Sequence, residues 1–347
     1  MPSAPHVLVI RRRYLGDVVL LGSLLRNIRL AHPDATIDVL VDPGYAPILA
    51  LNPDVNSVVS PPDGLLAWVG FLRELRRRQY THVFNFDNTE RTALITRASG
   101  AALRVALHHG GHRIKWPKAY THVVHDTPED HESRPITEYY LLALGPAGIP
   151  VATREIRIVP REAELARYRK LVGASGRILL VHPGSRSPFR LWPAESFAAV
   201  CDRVQDELDT QVILVGGPAE TELIGKIRGL AKSHILALAE SPTLPEFAAL
   251  ASLSTVLLCH DSGPMHVAAA VGLPVVALYG SQNAVLFSPV GTGHTLLTPP
   301  LPCTTCVAVG KCLPEDSYRN YCVRRHTVEQ VFEAVKASLS QAISLRS

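Results

Sequence analysis

Five stretches in the second half of the chain, at 178–181, 212–215, 235–238, 256–259 and 275–278, are continuously apolar rather than alternating. A strand with one wet face alternates. A strand buried on both faces does not, and it needs helices above and below it. Segments with helical spacing fit between these runs at 193–208, 219–231, 244–251 and 264–271. The pattern requires a parallel α/β sheet. The first half follows the same plan, with strands at 7–10, 36–41, 57–59, 82–86, 104–107 and 122–124 and helices at 17–31 and 65–78.

At 347 residues the chain suits two domains of this kind. The Gly/Pro-rich stretch Leu144-Gly145-Pro146-Ala147-Gly148-Ile149-Pro150 marks the boundary, giving domains over 1–155 and 156–325 and a last segment over 326–347. That last segment is a helix with no strand after it, and it is expected to pack back on the N-terminal domain. The net charge of +4 hides 28 arginines against 7 lysines. Arginine's planar fork matches phosphate oxygens in pairs, which fits anionic ligands; a genome rich in arginine codons gives the same bias on solvated faces. The basic side of helix 65–78 (Arg73, Arg76, Arg77, Arg78) is open to the same two readings, a solvated face or a membrane-surface patch.

Arg11-Arg12-Arg13 interrupts the first apolar run, so no signal peptide is expected. The longest apolar stretch, 265–279, is broken by His266, Gly272 and Pro274 and is too short to span a bilayer. A cytoplasmic location follows as the expectation, and with it reduced cysteines. No nucleic-acid partner is expected.

Candidate ligand groups cluster where strands should end. After strand 256–259 come His260, Asp261, Ser262, Gly263, Pro264, Met265 and His266. Proline is favoured at a first helical position, and the free N–H groups of such a helix start bind phosphate. Asp261 or Ser262 alone could be an N-cap; pyrophosphate binding better explains the added His266 and the second glycine turn, His182-Pro183-Gly184-Ser185-Arg186. There Gly184 permits close backbone approach, Ser185 offers a hydroxyl, and Arg186 and Arg190 offer cationic forks, while Trp192-Pro193 reads as an aromatic anchor and a helix start. A third turn, Val215 to Glu220, is either a plain turn or one that places Glu220 on ribose hydroxyls. Near the N-terminus, Asp17 after Gly16 is an N-cap or a general base.

These residues together resemble the ADP-heptose:lipopolysaccharide heptosyltransferases, glycosyltransferase family nine. The resemblance rests on Gly16-Asp17, His182 to Ser185, Arg190-x-Trp192-Pro193, Asp261 to His266 with Ala268-Ala269, and Tyr279-Gly280, and it runs along almost the whole chain. It implies an α/β GT-B fold: two Rossmann-like domains with parallel sheets facing a central cleft. The acceptor would sit on the first domain and the sugar nucleotide on the second, with no cofactor required for transfer. By position, Asp17 matches the family's proposed base, Asp261 the acid near the donor sugar, and Ser262, Gly263, Pro264 and His266 the phosphate turn. Adenine is expected near Thr243 and Leu244. Arg190 stands where the family usually has lysine, a change from a point donor to a fork.

The resemblance implies inverting transfer of L-glycero-D-manno-heptose from an ADP-sugar to a hydroxyl of a lipopolysaccharide inner-core saccharide, an anionic acceptor met at the inner membrane surface. His108, His109, His112, Arg113 and Lys115 form a basic loop that would hold acceptor anions, or else a solvated loop. Cys303-x2-Cys306-x5-Cys312-x9-Cys322 suits a closed structural zinc or iron site over reduced thiols or disulfides. Cys201 and Cys259 read as core. The rivals are a transferase acting on a protein or aminoglycoside-like acceptor, a sugar-nucleotide epimerase of the same layout, and a nucleotide-binding module without chemistry. An NAD dehydrogenase is disfavoured because no G-x-G-x-x-G follows the first strand.

Overall fold

The structure, a computed structural model, describes residues 4–108, 113–126, 133–173, 176–238, 240–280, 282–300 and 321–344. The chain divides into two compact units, Met1–Val159 and Pro160–Ser347. Each unit contains one six-stranded sheet with all its strands parallel.

The first unit runs β1 (His6–Ile10), α1 (Leu15–Leu20), α2 (Gly22–Ala31), β2 (Thr36–Leu40), α3 (Ala46–Leu49), β3 (Ser57–Val59), α4 (Leu65–Arg77), β4 (His82–Asn85), α5 (Glu90–Ser99), β5 (Leu103–His108), β6 (His122–His125) and α6 (Ile136–Leu142). Its strand order is β3-β2-β1-β4-β5-β6. The chain therefore builds outward from β1 in one direction, then returns and builds outward from β4 in the other. The carboxyl ends of β1 and β4 flank the place where the order reverses, and loops diverge there to leave a ligand crevice.

The second unit repeats this plan. It runs α7 (Glu162–Val172), β7 (Ile178–His182), α8 (Ala194–Leu208), β8 (Gln211–Leu214), α9 (Thr221–Leu230), β9 (Leu236–Ala237), α10 (Leu244–Leu253), β10 (Val256–His260), α11 (Gly263–Ala270), β11 (Val275–Leu278), β12 (Thr295–Leu297) and α12 (Val328–Ser344). The order β12-β11-β10-β7-β8-β9 puts the reversal between β7 and β10. Every residue of β7, β10 and β11 is buried, as strands covered by helices on both faces must be.

Three differences from the sequence reading have simple causes. The helix expected over 17–31 is two helices, and α1 begins before Asp17, so Asp17 lies in its first turn rather than at its cap. Helices α5 and α6 and strand β12 carry too little periodic signal to be read; α5 is marked instead by its ends, a Thr89 cap and a left-handed Gly100. The final helix was expected to pack on the N-terminal domain. Its face Val331, Phe332, Val335 and Leu339 instead lies in one core with Trp192, Phe197, Cys201 and Val204 of the second unit. An amphipathic helix that has no strand after it still has to bury its stripe, and the sheet beside α8 provides the place. Cys201 and Cys259 are core residues, as expected.

In the first unit the segment after α6 lies across α2. Asn27 accepts from the backbone N–H groups of Ala152 and Thr153 and donates to Thr153 O, and Ser23 donates to Arg154 O. Gly22 makes this approach possible, because a Cβ there would lie 2.5 Å from Ile156 Cγ2. Gly22→Ala should therefore cost about 1–3 kcal/mol in urea denaturation. Ile156→Ala in the same chain should recover part of that loss; full additivity of the two changes would place the clash elsewhere.

Candidate functional site

At the reversal of the first sheet, two carboxylates and a guanidinium are drawn together. Arg11 leaves the end of β1, and its Nη2 donates to Asp17 Oδ1 at 2.5 Å while Nη1 donates to Phe86 O at 2.7 Å. Asp87, just past β4, lies 3.7 Å from Arg11. Tyr140 OH from α6 donates to Asp17 Oδ1 at 3.1 Å, and the backbone N–H of Tyr14 donates to Oδ2 at 3.0 Å. Burial works against the Arg11 charge, but the fields of Tyr140, Asp17 and Asp87 outweigh it and hold the guanidinium above its ordinary pKa. Burial pushes the Asp87 carboxyl up and that of the Tyr140 phenol well up, with Arg11 opposing both. Asp17 is thus a fixed, hydrogen-bonded carboxylate at the rim of a crevice, still one-fifth exposed.

Three strand-end turns come together at the reversal of the second sheet. In the parallel register Cys259 stands beside His182 and Val181 beside Leu214, so the turns after β7, β8 and β10 share one edge. His260 joins them. Its Nε2 accepts the backbone N–H of Trp192 at 2.9 Å, so its Nδ1 carries the proton and donates to Gly184 O at 3.3 Å. The ring is wholly buried, and burial pushes its pKa down to about 3, so it stays neutral. Trp192 Nε1 in turn donates to His326 O, and His326 Nε2 donates to Tyr279 O at 2.8 Å.

Two residues before the anchored Trp192, Arg190 reaches back to Asp261, with Nη1 3.4 Å from Oδ2. Ser262 caps α11 in an extended conformation, and its Oγ is buried without a hydrogen bond in the structure. The start of α11 follows directly: Gly263 presents a backbone N–H, Pro264 has none, and His266 is buried one turn in. Arg186 is exposed beside Ser185 and near enough to Asp261 to act on its charge. A cation pair, a hydroxyl and a helix start on one edge can hold a diphosphate.

The other sequence candidates are placed differently. Glu220 does lie at this edge, but its side chain fills the space over the glycines: a Cβ on Gly184 would meet Glu220 Cγ at 2.3 Å and one on Gly216 would meet its Cβ at 2.7 Å. One carboxylate oxygen accepts the Gly217 N–H. Gly184 therefore makes room for Glu220. Thr243 and Leu244 open α10, where Thr243 and Glu246 bond each other's side chains and backbones as a capping box. In the first unit Arg113 and Lys115 are exposed on a loop tied down by Asn88, while His109 and His112 lie outside the described residues. Cys303, Cys306 and Cys312 also lie outside them; Cys322 is buried, and among the described residues no group of three metal-binding side chains occurs.

Three residues of these clusters were missed from sequence, Arg11, Asp87 and Tyr140, and the tying role of His260 was not read. Asp87 carried a usable signal, an acid directly after an apolar run, but no glycine drew attention to it.

Two units of Rossmann strand order, each with a charged cluster at the reversal, make up the GT-B fold. The chain belongs to glycosyltransferase family 9 (heptosyltransferase), whose family model matches residues 68–315. It is 29% identical over 294 residues to lipopolysaccharide heptosyltransferase 3 of Escherichia coli K12, covering 80% of this chain and 83% of that one. Among solved structures it resembles a family 9 glycosyltransferase of Veillonella parvula (23% identity, TM-score 0.85, 98% and 99% of the two chains). It also resembles E. coli WaaC in complex with ADP-2-deoxy-2-fluoro heptose (16% identity, TM-score 0.71, 96% and 99%).

Burial, opposed by Arg190 and Arg186, raises the Asp261 carboxyl from 3.8 to about 6. Such a group adds stability that is complete below the lower value and lost as pH rises through the upper one. Asp261→Asn should therefore melt above wild type at about pH 8, by up to ~3 kcal/mol, and the gap should close by about pH 4. Thermal melts across that range decide it. A variant less stable than wild type at the high end would mean that the pair with Arg190 outweighs desolvation.

Proposed function

We propose that the protein is an inverting heptosyltransferase that moves a heptose from ADP-L-glycero-D-manno-heptose to a hydroxyl of a lipopolysaccharide inner-core saccharide. The observation that carries this reading is the pair of charged clusters at the two sheet reversals. One holds a fixed carboxylate, and the other a diphosphate-sized group of donors. Asp17 takes the acceptor proton as the acceptor oxygen attacks the anomeric carbon. Arg11 and Tyr140 hold that carboxylate in place, and both can shift their bonds as its charge is neutralised. Arg190, Arg186 and the start of α11 stabilise the charge that gathers on the departing ADP, with Asp261 beside the sugar. Thr243 and Leu244 are assigned to the adenine, Glu220 to the ribose, and Arg113 and Lys115 to acceptor anions.

The donor assignment draws support from the ADP-heptose analogue bound by E. coli WaaC, and the acceptor from the names of the curated relatives. Family membership sets aside the epimerase and the non-catalytic module. From the acceptor named for the curated relatives we place the reaction on the cytoplasmic face with the protein attached peripherally; among the described residues no helix is long and apolar enough to cross a membrane. A structural zinc or iron on Cys303, Cys306, Cys312 and Cys322 is proposed from their spacing, and a metal-free protein after anaerobic purification would remove it.

Incubation with ADP-heptose and a heptose-deficient core acceptor, read by mass, should show addition of one heptose. Transfer only to a protein or a small aminoglycoside-like acceptor would replace the lipopolysaccharide assignment. Asp17→Asn should lower turnover about 10²–10⁴-fold while ADP affinity stays near wild type; turnover within about threefold would take Asp17 out of the mechanism.

Arg190→Ala should raise the donor KM and lower kcat. Arg190→Lys should recover much of both if charge is what the site needs, and little if it needs the fork. Normal donor kinetics in the alanine variant would place Arg190 outside the site.

A further inference from the structure

We propose that the outer faces of α4 and α5 dock the first unit on an anionic lipid bilayer. The idea deepens the glycolipid reading of the acceptor by naming the surface that meets the membrane.

Helix α4 has two unlike faces. Trp68, Phe71, Leu72 and Leu75 pack into the core against β1, β2 and β4 residues. The opposite face, at i, i+7 and i+11, carries Leu66, Arg73 and Arg77, with Val69 alongside. Leu66 is 90% exposed and Val69 50% exposed, although each is large and apolar. Helix α5 lies against α4, and the Arg91 guanidinium stands 5.5 Å from the Trp68 ring centroid. Its outer side continues the mixture with Arg91, Leu94 and Arg97, all exposed.

The charge is one-sided. The two helices hold the arginines 73, 76, 77, 91 and 97 against Glu74 and Glu90, and Glu74 is turned to Arg78 at 3.6 Å. Burial, and after it the field of Arg97, lower the Arg104 pKa, so Arg97 and Arg104 are like charges within reach of one another. Arg76 is set aside because its guanidinium packs over Gly100.

A helix lying flat on a bilayer needs this arrangement. Exposed apolar side chains enter the acyl boundary, and guanidiniums on the same face stay at the depth of the phosphates. A nucleic acid would use the arginines but leave Leu66 and Val69 in water.

The test is flotation of the full chain with vesicles of phosphatidylcholine containing about one-third phosphatidylglycerol, without donor or acceptor. Wild type should float with these vesicles, much less with pure phosphatidylcholine, and less as salt rises. One arginine near an anionic surface is worth about fivefold in partitioning, so Arg73→Glu/Arg77→Glu should weaken binding at least tenfold. Leu66→Glu/Val69→Glu should do the same, with melting temperature and transfer to a delipidated, water-soluble acceptor unchanged in both variants. Absence of wild-type flotation, or wild-type flotation by either variant, would overturn the proposal. Loss with the arginine pair alone would also overturn it, since a bare basic patch would then suffice. Failure of the heptosyltransferase reading would appear in the transfer assay and leave vesicle binding intact.

Discussion

The neutral ring of His260 is the tie on which the shared edge of the second unit's strand-end turns depends. It stands at the last position of β10, accepts the backbone N–H of Trp192 and donates to the carbonyl of Gly184. A protonated ring could not accept from Trp192, so the low pKa imposed by burial is a condition of the geometry. Through this ring the turn after β7, the end of β10 and the segment carrying Arg190 become one body. Trp192 extends the tie through His326 to the strand end at Tyr279. Arg190 sits two residues from a fully buried anchor, which is why an otherwise flexible cation can be held near Asp261.

The first unit solves the same problem with charge. Arg11 is held between Asp17 and Asp87 in partly desolvated surroundings, where each ion would be costly alone. The cluster orients Asp17 but also competes for its lone pairs. A carboxylate bound this tightly to a guanidinium gains a proton only if those bonds loosen, so in the role we propose for Asp17, Arg11 and Tyr140 would shape its reactivity as much as its position.

Both clusters sit where the strand order of a Rossmann sheet reverses, between β1 and β4 and between β7 and β10. The two sheets have the same order. One topological rule, applied twice, accounts for the location of all the groups assigned to chemistry except the adenine pair and the basic loop. The outward faces of the helices are under no such constraint, which leaves α4 and α5 available to carry Leu66 and their arginines.

The sequence by itself determined the layout: unbroken apolar runs meant parallel strands buried on both sides, and glycine turns after them marked the edge where the strand-end turns meet. Those are local signals, set by periodicity and by backbone sterics within a few residues. It also supplied Asp17, Arg190 and the Asp261–His266 segment, because each adjoins such a turn. Tertiary structure alone decided that Asp17, which also accepts the Tyr14 N–H at the helix start, is paired with Arg11, and that Gly184 makes room for Glu220. It alone decided that α12 fills the second core and that His260 binds three segments together. Those facts depend on strand neighbours and helix contacts far apart in the chain, such as 76 residues between Gly184 and His260. Sequence spacing carries no record of which strands will lie side by side, and burial, the cause of the shifted charges, exists only once they do.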